Sequence, residues 1–421
     1  MFYYNHNNIM LRVAFETLGC RSNLFDTFSM KTKFKEKGYK VVNSEEEVAD
    51  IYIVNTCTVT KSGDRSSRKA IYRLRRRNPK AIIVATGCYA QISPEELMNI
   101  EGVDIVVGNT HKDAILNIVE EYMERREKKV YVGNIFKVGE VELFNPVVYF
   151  ENSRPFVKVQ EGCNKFCTFC VIPFARGKVR SVDKDKVVDT VKRLAYSGFE
   201  EVVLSGTQLS QYGWDKGYTL YELLKELVKI ENIKLIRLSS LHVKELDKDT
   251  LNLLKEEEKI APHFHLSLQS ASDRILNIME RGYTLSEYVK TAEELLKKPN
   301  TAIGTDIIVG FPTESEDDFE KTRRFLEEFP FAYIHIFPYS DRPFAKASKF
   351  KEKVKESVKR ERVEILKTID DLKRKHFKNM FLGKTLRATT LGNEKVLTEN
   401  YLYLEGYNFG SKGKVVRVCV R

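Results

Sequence analysis

The stretch EGCNKFCTFCVIPFARG, residues 161–177, carries three cysteines, Cys163, Cys167 and Cys170. A disulfide uses two thiols and a structural zinc site usually takes four ligands. This segment offers no histidine and no fourth cysteine. Three thiolates at this spacing suit an iron–sulfur cluster with one position left for a non-cysteine ligand. Separate buried thiols are the simpler alternative, but three so close together, beside Gly162 and Pro173, are unusual for packing alone.

The setting of the stretch decides the fold. It follows the strand-like run FVKVQ, and five more such runs come after it: EVVLSG, KLIRLSSL, HFHLSLQ, AIGTDIIVG and AYIHIFPYS. Helical patterns separate them, so six β/α units predict a partial version of the eight-stranded barrel. The cysteines then lie in the loop after the first strand, at the face where such barrels build active sites.

On the amino-terminal side, RVAFETLG, DIYIVNT, AIIVATG and DIVVG alternate with helical stretches, including ones from Ser62 and Ser93 and one near 111–127. The alternation predicts an open, mostly parallel α/β sheet. FNPVVYFENSRP, with Pro146 and Pro155 as breakers, reads as a linker. On the carboxy-terminal side, a charged helix over 351–379 leads into alternating runs and glycine turns, which fit a small antiparallel β-barrel. The expected domains are 1–135, 146–375 and 376–421.

Cys20, Cys57 and Cys88 are distant in sequence but alike in setting, since each follows a hydrophobic strand at its carboxy end. In an open parallel sheet those ends lie along one edge, where ligands bind. The three can converge on a single centre; otherwise they are separate loop thiols. Cys419 alternates with valines in KVVRVCV and reads as a packing residue.

The chain has 421 residues, 42% of them hydrophobic, so it can bury a large core. No apolar run approaches the ~20 residues of a membrane span, and the start lacks the pattern of a secretory signal. A cytoplasmic protein is expected, and seven cysteines there are more readily metal ligands than disulfides. The net charge of +11 favours a polyanionic partner.

The basic residues cluster. KSGDRSSRKAIYRLRRRNPK, residues 61–80, has Asp64 as its only acid. Arg65, Arg68, Lys69, Arg73, Arg75, Arg76 and Arg77 there are candidates for binding an RNA backbone, against the plainer reading of a solvated helix face. The terminal β-rich piece adds Lys384, Arg387, Lys412, Lys414 and Arg417 with tyrosines interleaved, a composition suited to looped RNA.

The spacing Cys-x3-Cys-x-aromatic-Cys after the first barrel strand resembles that of the radical S-adenosylmethionine (SAM) enzymes. The resemblance implies a 4Fe–4S cluster on Cys163, Cys167 and Cys170, with SAM on the fourth iron and Phe169 near its adenine. It implies chemistry at cluster and SAM rather than at a conventional acid or base. LGCRSN, NTC and GCYAQ before such a barrel, with a TRAM-like RNA-binding barrel after it, look like the methylthiotransferases over nearly the whole chain. This implies a second 4Fe–4S cluster on Cys20, Cys57 and Cys88, carrying the sulfur to be transferred. Gly206, Gln269, Asp306 and Gly310 match segments near SAM or the substrate.

TLGCRSN with NTCTVT most resembles the subfamily that adds –SCH3 to carbon 2 of N6-threonylcarbamoyladenosine, next to the anticodon of tRNA. One SAM would supply the methyl group and a second the radical; an electron donor and a sulfur source are also implied. The sister families act on N6-isopentenyladenosine in tRNA or on a ribosomal-protein aspartate. A zinc-stabilised RNA-binding protein without catalysis is the reading from another class. Ala271, Thr313, His242 and Val243 depart from the family pattern. His242 reads as a solvated loop residue. His263 and His265, alternating with Phe264, read as hydrogen-bonded groups facing the barrel interior.

Overall fold

The computed structural model describes residues 10–141 and 153–421. The linker expected over 144–155 therefore lies outside the described residues, except at 153–155. The first part of the chain runs β1 (Arg12–Thr17), α1 (Arg21–Glu36), β2 (Lys40–Val42), β3 (Ile51–Thr56), α2 (Lys61–Arg77) and β4 (Ile82–Gly87). It continues through α3 (Cys88–Ile92), α4 (Pro94–Met98), β5 (Ile105–Val107), α5 (Ile115–Arg125) and β6 (Lys129–Tyr131).

All six strands are parallel, in the order β2-β1-β3-β4-β5-β6. Every residue of β3 and β4 is buried. Tyr52, Val54 and Ile83 pack with Ile71 and Leu74 of α2 on one face. Ile51, Ile53 and Val84 pack with Met30 and Phe34 of α1 on the other. Covering both faces is what makes these strands read as unbroken apolar runs. The helix expected from Ser93 is α4, which starts on Pro94 with Ser93 as its N-cap, and the short α3 precedes it. Strand order reverses between β1 and β3, and the crevice outside the carboxy ends at such a reversal is where open α/β sheets bind ligands.

The second part contains the six anticipated strands, now β7 (Phe156–Glu161), β9 (Glu201–Gly206), β10 (Leu235–Leu238), β11 (His263–His265), β12 (Ala302–Val309) and β13 (Tyr333–Pro338). α6 (Ile172–Arg176) and the two-residue β8 (Arg180–Ser181) follow β7, with β8 antiparallel to it. The helices between the later strands are α7 (Lys184–Tyr196), α8 (Leu220–Leu227), α9 (Lys248–Glu256), α10 (Asp273–Ile278), α11 (Leu285–Leu296) and α12 (Glu316–Glu328). Pairing runs β10-β9-β7-β8 and β11-β12-β13. Parallel bridges Ile236–Ile260 and Leu241–Leu266 join the two groups. The result is a partial (β/α)6 barrel in which, among the described residues, β7 and β13 do not pair. Helix α1 of the first sheet packs beside β7.

Helix α13 (Glu356–Asn379) packs on β13 and leads to β14 (Thr385–Gly392), β15 (Lys395–Thr398), β16 (Tyr403–Glu405) and β17 (Val415–Cys419). These form an antiparallel sheet in the order β16-β15-β14-β17. Buried Arg237 of β10 bonds Glu201 through Nε at 2.8 Å and the Thr398 and Glu399 carbonyls through its other nitrogens, tying this sheet to the barrel. Cys419 corrects the sequence reading. Period-two alternation turns Val418 and Val420 inward and leaves Cys419 exposed. Among the described residues no helix is long and apolar enough to cross a membrane.

Candidate active site

The loop after β7 is pinned from several sides. Cys163 N–H donates to the Gly177 carbonyl at 3.1 Å, Thr168 N–H to Met279 and Ala347 N–H to Thr168. Cys167 lies close enough to Cys163 and Cys170 to disfavour ionisation of both. Burial is the larger cause, and it pushes the Cys163 thiol up to about 11 and Cys170 upward as well. Buried Arg281 donates to Cys167 Sγ at 3.3 Å and to the Ser267 carbonyl at 2.6 Å. Three neighbouring sulfurs, with Arg281 beside them to balance charge, fit a cluster that takes its cysteines as thiolates and leaves one iron for another ligand.

The second triplet also converges. Cys20 is the residue before α1, Cys57 follows β3, and Cys88 opens α3. A Cβ on Gly19, which has φ +93°, would meet both Cβ and Sγ of Cys57 at 2.7 Å, so the Cys20 loop needs glycine to approach. Burial, then the nearby Cys88 and Cys20, push the Cys57 thiol up to about 11. Asn109 Nδ2 lies 3.7 Å from Cys88 Sγ and donates to the Ala175 carbonyl at 2.7 Å.

That last contact belongs to a junction between the two triplets. Helix α6 begins two residues after Cys170, and Val171 and Ala175 pack directly on Cys88 and Ile92 of α3. At its end, Arg176 is buried, with Nη2 2.5 Å from Asn23 Oδ1 and 3.2 Å from Asp26 Oδ2. It also pairs with Glu161. Its pKa is raised well above the usual value, because Cys88, Asp26, Glu161 and Cys20 outweigh the opposing effect of burial. Lys158 of β7 donates to Asp26 at 2.6 Å. Sequence reasoning missed Arg176, Arg281 and Asp26, although Arg176 stands inside the cysteine stretch itself.

A cavity of about 210 Å³ opens beside Cys170, lined by Val59, Phe169, Gln269, Asp306, Ile308 and Phe337 among others. It thus reaches from the loop after β3 to the barrel interior. Phe169, Gln269 and Asp306 stand there together. Gly206 and Gly310 have structural reasons of their own. A Cβ at Gly206 would meet Gln160 Oε1 at 2.8 Å, and Gly310, at φ +69°, is packed under Lys359.

Asp306 accepts from Ser267 at 2.7 Å and lies 3.0 Å from His265 Nε2 and 3.2 Å from His335 Nδ1. Burial would raise its pKa, but His265 and His335 hold it well below the usual range. The histidine and carboxylate atoms are close enough for a metal ion, yet the carboxylate is already occupied as an acceptor by both rings and Ser267. His263 and His265 face the interior and share the Tyr333 hydroxyl, as anticipated. His242 does not match its reading. It is buried edge-on to Tyr283, and burial first, then Arg281 and Lys165, lower its pKa to about 2.

The basic helix divides into two sets. Arg65 and Lys69 are exposed, as are Arg73, Arg76 and Arg77, of which Arg77 donates to the Glu45 carbonyl at 2.9 Å. Arg75 instead bonds Asp104 at 2.6 Å and the Gly102, Pro79 and Ala81 carbonyls. Arg68 donates to Tyr89 and Glu96, and Arg73 to Glu16. In the terminal sheet Lys384, Lys412 and Arg417 are exposed, while Arg387 pairs with Glu399 and Lys414 donates to the Gly198 carbonyl.

Residues 12–108 match the model of Uncharacterized protein family UPF0004, and 157–326 that of the Radical SAM superfamily. The chain is 62% identical over 97% of its length to the Aquifex aeolicus threonylcarbamoyladenosine tRNA methylthiotransferase MtaB, covering 100% of that protein. It is 40% identical to the Bacillus subtilis protein of the same name, over 90% of this chain and 84% of that one. Among solved structures it is similar to the radical SAM methyltransferase TsrM of Kitasatospora setae. The TM-score is 0.59 at 14% identity, over 80% of this chain and 75% of that one, a likeness of fold alone.

Proposed function

The chain belongs to the threonylcarbamoyladenosine tRNA methylthiotransferases, and from that membership we propose how its residues divide the work. The protein is a radical SAM enzyme that adds a methylthio group to carbon 2 of N6-threonylcarbamoyladenosine in tRNA. We assign Cys163, Cys167 and Cys170 to the SAM-binding 4Fe–4S cluster and Cys20, Cys57 and Cys88 to an auxiliary one. When bound, the first with SAM supplies one-electron cleavage of SAM and so the radical, and the second supplies the sulfur.

The protein's own task is placement. The observation that carries the assignment is α6, which starts beside Cys170 and ends among the residues around Cys88. A five-residue helix packed on both sides leaves little freedom between the triplets. The cavity beside Cys170 is the space for SAM and the target base, with Phe169 and Phe337 as apolar walls. A base must leave the anticodon stack to enter it. Exposed Arg65, Lys69, Arg76 and Arg77, with Lys384, Lys412 and Arg417, are assigned to the RNA backbone. We propose domains at 1–135, 146–375 and 376–421, supported by the three sets of sheets, with the last limit falling inside α13. A tRNA substrate and six metal-binding thiols support a cytoplasmic location.

The test uses anaerobically reconstituted enzyme with SAM, reductant and tRNA carrying N6-threonylcarbamoyladenosine, and isopentenyladenosine tRNA in parallel. Nucleoside mass spectrometry should find the methylthio product only on the first. Product on the second alone would refute the substrate assignment.

A further inference from the structure

Tyr333, His335 and Phe337 form the column of β13 that faces the barrel interior, because alternate strand residues share a face. Tyr333 is buried, whereas His335 and Phe337 are 49% and 39% exposed. Asp306 and Phe337 both line the cavity beside Cys170. His335 lies just behind that lining and touches two of its residues, bonded to Asp306 and edge-on to Phe337 at 6.5 Å.

Hydrogen-bond directions follow from the carboxylate outward. An ionised carboxylate only accepts, so His265 donates through Nε2 and His335 through Nδ1. Tyr333 then donates to His265 Nδ1 at 3.1 Å and accepts from His263 Nε2 at 2.8 Å. The inner groups are spent on one another. His263 Nδ1 is buried without a partner. His335 Nε2 has no hydrogen-bond partner among the described residues, and its ring is the half-exposed one.

Resting on the function proposed above, we infer that His335 is a specificity-determining residue whose Nε2 reads the carboxylate of the threonyl substituent. Phe337 offers the adjoining apolar face to the base. Imidazole suits this substituent because, when charged, it donates through Nε2 to a carboxylate while Nδ1 still donates to Asp306. An apolar substituent would desolvate the ring and give it no partner, and a polar site discriminates most strongly against such an analogue. Asp306 is the positioning residue, fixing the tautomer and plane of the ring.

The experiment compares anticodon stem-loops carrying the free-acid base and its methyl ester, as kcat/KM of reconstituted full-length enzyme. Wild type should favour the acid about tenfold, equivalent to ~1.4 kcal/mol. His335→Ala should abolish that preference through a raised KM for the acid. His335→Gln, which keeps a terminal N–H donor, should retain part of it. Iron content reports whether each variant has folded around its clusters, and if His335→Ala loses iron, His335→Gln decides by the same ratio.

An unchanged acid-to-ester ratio in the variants overturns the inference, as does an equal loss on both substrates or no preference in wild type. If wild type modifies neither stem-loop yet acts on another RNA, the function itself is refuted and this inference falls with it.

Discussion

Glu161 ends β7, immediately before the cysteine loop, and its carboxylate faces Lys158, Arg176 and Arg180. Burial would raise its pKa, but Lys158 and Arg176 outweigh that and hold it at about 2. A carboxyl depressed in the folded state binds fewer protons than in the unfolded chain. Its stabilisation is therefore complete above the ordinary value of 4.5 and is lost as pH falls toward about 2. Melting temperature should drop through that window in wild type, and less steeply in Glu161→Gln; parallel slopes would show that Glu161 plays no part. At this scale the six cysteines were legible, because ligand chemistry demands their type and spacing. Arg176, Arg281 and His335 were not. A lone arginine or histidine has no spacing to read, and each acquires its role from neighbours more than a hundred residues away or across a strand pair.

Helix α2 shows how much a charge pattern reveals about an element. Its sequence announces a cationic amphipathic helix, and Ala70, Ile71 and Leu74 do face the core. Which cations remain available for a partner depends on acids that the helix itself lacks. Arg75 reaches Asp104 in the loop before β5, and Arg73 reaches Glu16 of β1. The double change Arg65→Glu with Lys69→Glu should weaken tRNA binding about tenfold or more at 0.15 M salt and reduce the salt slope by about two. Filter binding across a salt series measures both. Arg75→Ala should instead lower thermal stability with little change in that slope. The long strands β3, β4, β7 and β12 were readable from their apolar runs. The three-residue β2 and β6 were not, since so short an edge strand carries no periodicity.

For the whole molecule, the decisive feature is the seating of the N-terminal sheet against the open barrel. Asp26 of α1 meets Lys158 of β7, Arg176 of α6 and Lys112, while Arg342, beyond β13, donates to Asp64 at the start of α2. Burial opposes the Asp26 charge, but those three cations hold its pKa far below the usual range. Breaking a buried set of this kind by removing one member typically costs about 3–5 kcal/mol. The sequence indicates three units and their order, but not this junction, because its contacts join residues between 66 and 278 positions apart. The junction sets the loop of one cysteine triplet, through the short helix that follows it, against Cys88 of the other, and the two triplets divide the labour of the reaction. The direct test is the triple variant Cys20→Ala, Cys57→Ala, Cys88→Ala, reconstituted anaerobically and assayed for iron, 5′-deoxyadenosine and methylthio nucleoside. Roughly half the wild-type iron, continued cleavage of SAM and no methylthio product would bear the claim out. Full iron content, or methylthiolation that survives the loss of all three thiols, would contradict it.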